Sequence, residues 1–133
     1  MKAMVWLVLL GVMTGAQAGE EDSTPCDNVD TEQQTYACAA FNRQTAEREL
    51  KSAFDDLLQR LREQYPNQSS KVSDLSARLQ AAQTQWMQLR DADCKLETFA
   101  EQPGSKAYEA ALNTCLAQRS DDRSEYLQSL AQQ

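Results

Sequence analysis

Apolar side chains fall into three periodic tracts. The first carries Tyr36, Ala40, Leu50, Phe54, Leu57, Leu58, Leu61 and Tyr65. From Leu50 onward these positions recur at helical spacing, whereas residues 42–49 offer only Ala46 for burial. The second tract reads Val72, Leu75, Leu79, Ala82, Trp86, Leu89 and Leu96, with steps of three and four residues up to Leu89. That pattern is a heptad seam facing a partner helix. The third shows Tyr108, Ala111, Leu112, Cys115, Leu116, Leu127 and Leu130, with Arg119 and Arg123 interrupting the stripe.

Few chain breakers divide the tracts. Beyond residue 18, glycine and proline occur only at Gly19, Pro25, Pro66, Pro103 and Gly104. The stretches between are rich in Ala, Leu, Gln, Glu, Arg and Lys, strong helix formers, and poor in β-branched residues. Thr31 followed by Gln34 is a capping-box pattern, and Asp30 with Gln33 is an equivalent one shifted by one residue, so the first helix runs from about Thr31 to about Gln64. Pro66-Asn67 ends it, and Ser69 or Ser70 caps the second. Pro103-Gly104 ends the second helix, and Ser105 caps the third. Short turns between long helices make consecutive helices antiparallel. A helix of that first length is about 50 Å long at 1.5 Å per residue. The expected architecture is all-α: an elongated antiparallel three-helix bundle.

The first residues read differently. Lys2, an apolar run from Ala3 to Met13 and the small-x-small triplet Ala16-Gln17-Ala18 make residues 1–18 a signal peptide. The run is too short to span a bilayer. No cysteine follows the cut, and no later stretch is apolar enough to enter a membrane. The expected mature chain is a single domain, residues 19–133, periplasmic or secreted and without a membrane anchor.

Charge narrows the partners. The formal net charge of −7 becomes −8 once Lys2 is removed with the signal peptide. That disfavours nucleic acid and anionic membranes and suits a basic protein partner, although solubility alone also accounts for it. All four cysteines, Cys26, Cys38, Cys94 and Cys115, lie in the mature chain, and the protein has no histidine. An even count in an exported chain points to two disulfides rather than a metal site. The local pairing, Cys26–Cys38 with Cys94–Cys115, needs only a short fold-back and a bridge across the Pro103-Gly104 turn. The alternative, Cys38–Cys94 with Cys26–Cys115, also has merit: Cys38 and Cys94 each lie 28 residues from Pro66.

Residues 79–94 read Leu-Gln-Ala-Ala-Gln-Thr-Gln-Trp-Met-Gln-Leu-Arg-Asp-Ala-Asp-Cys. Gln83, Trp86, Arg90, Asp91 and Cys94, followed by Gly104, Cys115, Ser120, Arg123 and Leu127, resemble the signature of the LprI-type lysozyme inhibitors. Upstream, Cys26, Thr31, Cys38, Ala46, Glu47, Leu50 and Phe54 are similar to that family's opening. The resemblance spans essentially the whole mature chain. It implies a small helical envelope domain that binds a protein, lysozyme in some members, and performs no catalysis.

Each singled-out residue also has a plainer reading. Trp86 on the seam, with Arg90 one turn on, reads first as a core tryptophan covered by an arginine stem. Arg90, Asp91 and Arg123 read as an ion-pair network between helices 2 and 3. The pairs Asp55-Asp56, Asp91/Asp93 and Asp121-Asp122 invite a glycosidase reading. Adjacent helix residues point about 100° apart, however, and no loops are long enough to form a cleft around them. A nucleophile–base pair is also missing. No catalytic, cofactor or metal residue is therefore expected. The leader, with Glu20, Glu21, Asp22, Asp27 and Asp30, and the loop from Leu96 to Lys106, with Glu97, Glu101 and Lys106, are the irregular segments where binding function tends to sit. The expected role is a lysozyme-inhibitor-like binding module. The alternative is a non-catalytic cell-envelope interaction or adaptor protein. Oligomeric state is not legible.

Overall fold

The computed structural model describes residues 22–133; the signal peptide expected over residues 1–18 and its expected cleavage site lie outside the described residues. Three helices follow one another: α1 (Glu32–Gln64), α2 (Ser69–Glu97) and α3 (Lys106–Ala131). Local chemistry sets most boundaries. Thr31 accepts from the Gln34 backbone N–H while the Gln34 side chain reaches back to the Thr31 backbone, a complete capping box. The Ser105 hydroxyl accepts from the Tyr108 N–H at 3.0 Å and starts α3. Gly104, at φ 82°, supplies the left-handed turn before it.

Two boundaries differ from the sequence reading. Ser69 is the first helical residue of α2, and the preceding Gln68 makes no side-chain cap. α2 also stops at Glu97, well before Pro103-Gly104. The Thr98 hydroxyl donates to the Cys94 carbonyl at 3.0 Å, and the chain then turns away.

α1 and α3 run parallel. Arg43 reaches Asn113, and further along the pair Arg60 and Gln64 lie beside Ala131. Both are antiparallel to α2, which meets α1 and α3 through longer side chains. The α1–α3 seam is built from small residues: Ala39, Ala46 and Ala53 on one side, Ala110, Ala117, Ser120 and Ser124 on the other, all buried. Small side chains let two helix backbones approach closely, and each buried serine returns its proton to its own helix. Ser120 donates to the Leu116 carbonyl and Ser124 to the Ser120 carbonyl. The larger core lies lower in the bundle, where Leu50, Ala53, Leu57 and Leu127 are buried against Phe54, Leu79, Trp86 and Leu130.

The heptad seam expected of α2 holds at Val72, Leu75, Leu79 and Trp86, which are partly buried, and is corrected at its other positions. Its inward face is Leu79, Gln83, Trp86, Arg90 and Cys94, whereas Ala82, Leu89 and Leu96 point outward. Gln83 and Arg90 go inside because α1 and α3 supply partners for them. On α1, the stretch 42–49 contributes more than Ala46, since Arg43 and Glu47 are half-buried there.

Two disulfides close the bundle. Cys26–Cys38 folds the leader back on α1 with a Cα–Cα distance of 4.7 Å. Cys94–Cys115 joins the C-terminal turn of α2 to α3 at 5.6 Å. This is the local pairing of the two connectivities weighed above.

Candidate functional site

Arg90 is the centre of the polar interior, 9% exposed. Its Nη1 donates to Ser120 Oγ at 3.1 Å. Its Nε and Nη2 lie 2.9 and 2.8 Å from Asp91 Oδ1. Glu47 Oε1 on α1 is 3.6 Å from Arg90 Nη1 and accepts from Arg43 Nε at 3.0 Å. Arg43 Nη1 in turn donates to Asn113 Oδ1 at 3.1 Å. One polar path therefore runs from α3 through α1 and α2 and back to α3. Among the described residues, no buried side-chain nitrogen or oxygen lacks a partner, the condition under which such a network holds helices together rather than pushing them apart.

The second half of this knot is aromatic. The guanidinium carbons of Arg90 and Arg123 stand 5.3 and 5.5 Å from the Trp86 ring centre, within cation–π range. Arg123 also stacks near Tyr126 at 4.9 Å and donates from Nε to Gln83 Oε1 at 3.1 Å. Burial pulls the Arg123 guanidinium below its ordinary value, with Tyr126 working against that shift. Gln83, Trp86, Arg90, Asp91 and Arg123 are thus brought together in one cluster.

The expected ion-pair network is corrected in one respect. Arg123 bonds to the Gln83 amide oxygen and not to a carboxylate. The carboxylate that joins Arg90 from another helix is Glu47. Glu47 and Ser120 carried no signal in the hydrophobic pattern; only their places in the family-like motif pointed to them.

The acidic pairs scatter over the surface. Asp55 is held by Lys51 one turn back, and Asp91 by Arg90. Every cysteine is disulfide-bonded. No three histidine, cysteine, aspartate or glutamate side chains gather to hold a metal ion among the described residues. Asp121 sits with Glu49, Asp122 and Glu125 on the side of the α1–α3 pair away from α2. Partial burial, then repulsion from those three carboxylates, raises its pKa above the ordinary 3.8. The folded chain keeps this proton where the unfolded chain has lost it. Stability therefore falls as pH rises through the window just above 3.8, and the repulsion persists at neutral pH. Asp121→Asn should raise Tm by about 2 °C at pH 7, a small gain because the group is mostly solvated. At pH 3 the variant and parent should melt together.

The profile of the family "Lysozyme inhibitor LprI" matches residues 26–127. The chain belongs to the LprI family. It is also similar to a crystal structure of a DUF1311 family protein from Pseudomonas putida KT2440. The two share 59% identity over 80% of this chain and 99% of that one, with a TM-score of 0.71. No curated protein matches.

The LprI match opens on Cys26 and closes on Leu127, so it contains both disulfides, the polar knot and the core. The two irregular segments singled out in the sequence adjoin the same end of this LprI domain, where α1 and α3 begin and α2 stops. There Glu32 and Thr35 at the start of α1 stand beside Glu97 and Thr98 around a depression of about 560 Å³. Asp30, two residues before Glu32, and Glu101, three residues after Thr98, are exposed, while Glu97 is engaged by Arg119 across the α2–α3 surface. That pairing raises the Arg119 pKa. Asp27 is turned back onto Thr24, whose backbone N–H and hydroxyl donate to its carboxylate at 2.7 and 2.8 Å. Asp22 and Lys106 are exposed, and Glu20 and Glu21 lie outside the described residues.

Proposed function

We propose that this LprI-family chain is exported after cleavage behind Ala18 and acts in the periplasm or outside the cell. There it blocks a basic muramidase by protein–protein contact. The observation that carries this reading is the match to the lysozyme inhibitor family over residues 26–127. The acidic charge supports it, because oppositely charged partners gain encounter rate and orientation from long-range attraction. The bundle end that gathers Asp30, Glu32 and Glu101 is the face proposed to approach the enzyme. It is held rigid by a disulfide on either side, so little ordering is required on binding.

A turbidity assay with lysozyme and dried bacterial cells tests the reading. The oxidised chain should slow clearing in proportion to its concentration. The triple variant Asp30→Asn, Glu32→Gln, Glu101→Gln should inhibit about tenfold less at low salt and differ less from the parent at high salt. Unimpeded lysis by every lysozyme class tested would remove inhibition and leave the envelope-adaptor reading.

A further inference from the structure

α2 carries two seams, and the chain's own bundle covers only one. The inward seam is Leu79, Gln83, Trp86, Arg90 and Cys94. At about 100° per residue, Leu89, Ala92 and Leu96 project about 100–160° away from that seam, and Phe99 stands just past the end of α2, its N–H donating to the Leu96 carbonyl at 3.3 Å. Leu89, Leu96 and Phe99 are 60%, 70% and 83% exposed. Leu89, Ala92 and Leu96 follow steps of three and four residues, the spacing of a coiled-coil seam, and Phe99 extends the apolar strip beyond the helix end. We propose that this outward seam of α2 is covered by the same seam of a second copy, giving a two-fold symmetric dimer.

Area and charge both point to a second copy. The three large side chains expose on the order of 400 Å² per chain, as large as the biggest apolar patch on an ordinary monomer. A symmetric contact uses the patch twice. With Ala92 and the flanking residues it would bury on the order of 1,000 Å² in total, the size at which specific interfaces begin. The chain is strongly acidic overall, so two copies can meet only where their charge is locally spent. On this stretch Asp91 is held by Arg90 and Glu97 by Arg119, Asp93 also lies within Coulombic reach of Arg119, and Lys95 is exposed. The carboxylate group around Asp121, by contrast, lies on the α1–α3 side away from α2.

Sedimentation equilibrium of the oxidised chain over a micromolar to millimolar range tests the proposal without any enzyme present. A monomer–dimer equilibrium is expected. Leu96→Glu and Phe99→Glu should each weaken it at least about tenfold. These side chains are largely exposed, so both variants should keep the parent's circular dichroism and melting curve. Leu89→Glu provides a third reading of the same strip, and Val29→Glu, placed on the leader, should leave association unchanged. A chain that stays monomeric throughout the range overturns the proposal. So does a dimer that survives all three strip variants. If the chain is monomeric and Leu96→Glu instead loses lysozyme inhibition, the strip docks the enzyme and self-association is wrong.

Discussion

Replacing Arg90 by alanine is expected to lower the stability of the fold by about 2–3 kcal/mol. The cost of breaking a buried charge pair is commonly ~3–5 kcal/mol, because the abandoned partner stays buried and charged. Here the partners are partly released. Asp91 is 51% exposed and can return to water, and Glu47 keeps Arg43 at 3.0 Å. Ser120 keeps its bond to the Leu116 carbonyl. What remains is the lost cover over Trp86, the cavity left in the knot, and the lost tie between α2 and α3. Urea unfolding followed by circular dichroism measures it. Arg90→Lys should recover less than half the loss, since an ammonium cannot reach Ser120 and Asp91 together as a planar fork does. A loss below about 0.5 kcal/mol would mean that the knot holds nothing together.

The two disulfides should behave differently. Removing Cys94–Cys115 as a double alanine variant is expected to cost about 3 kcal/mol, the chain-entropy value for an interval of this size. Cys94 is fully buried and the bond joins two packed helices, so the unfolded chain gains freedom that the folded chain does not share. Removing Cys26–Cys38 frees only an exposed leader, which can detach without opening the core. The expected change in global unfolding is then below about 1 kcal/mol. Equal losses for both variants would place the leader within the cooperative unit. Proteolysis between Cys38 and Cys94 under non-reducing conditions should release two separate fragments; fragments that stay joined would require the crossed pairing.

The contrast between legible and illegible features follows range. Helix positions and the caps at Thr31 and Ser105 were readable because capping is settled within a few residues of sequence. The facing of α2 was not. A rule that turns apolar residues inward puts Leu89 and Leu96 in the core and Gln83 and Arg90 outside. The fold does the reverse, because Arg123, Ser120 and Glu47 arrive from distant segments to satisfy the polar pair. The α1–α3 seam was hidden for a related reason. Alanine and serine carry little hydrophobic signal, yet at Ala39, Ala46, Ala53, Ser120 and Ser124 their small size is what allows the helices to meet. The motif residues were legible only as a family-like string. Their convergence around Trp86 needed the third dimension.

Calorimetric titration of lysozyme with the oxidised chain at low ionic strength is the decisive test of the proposed inhibition. Saturable binding at a fixed stoichiometry is expected, weakened by added salt and matched by slower lysis over the same concentration range. The absence of binding to lysozymes of every class, by a chain whose circular dichroism shows it fully helical, would contradict it.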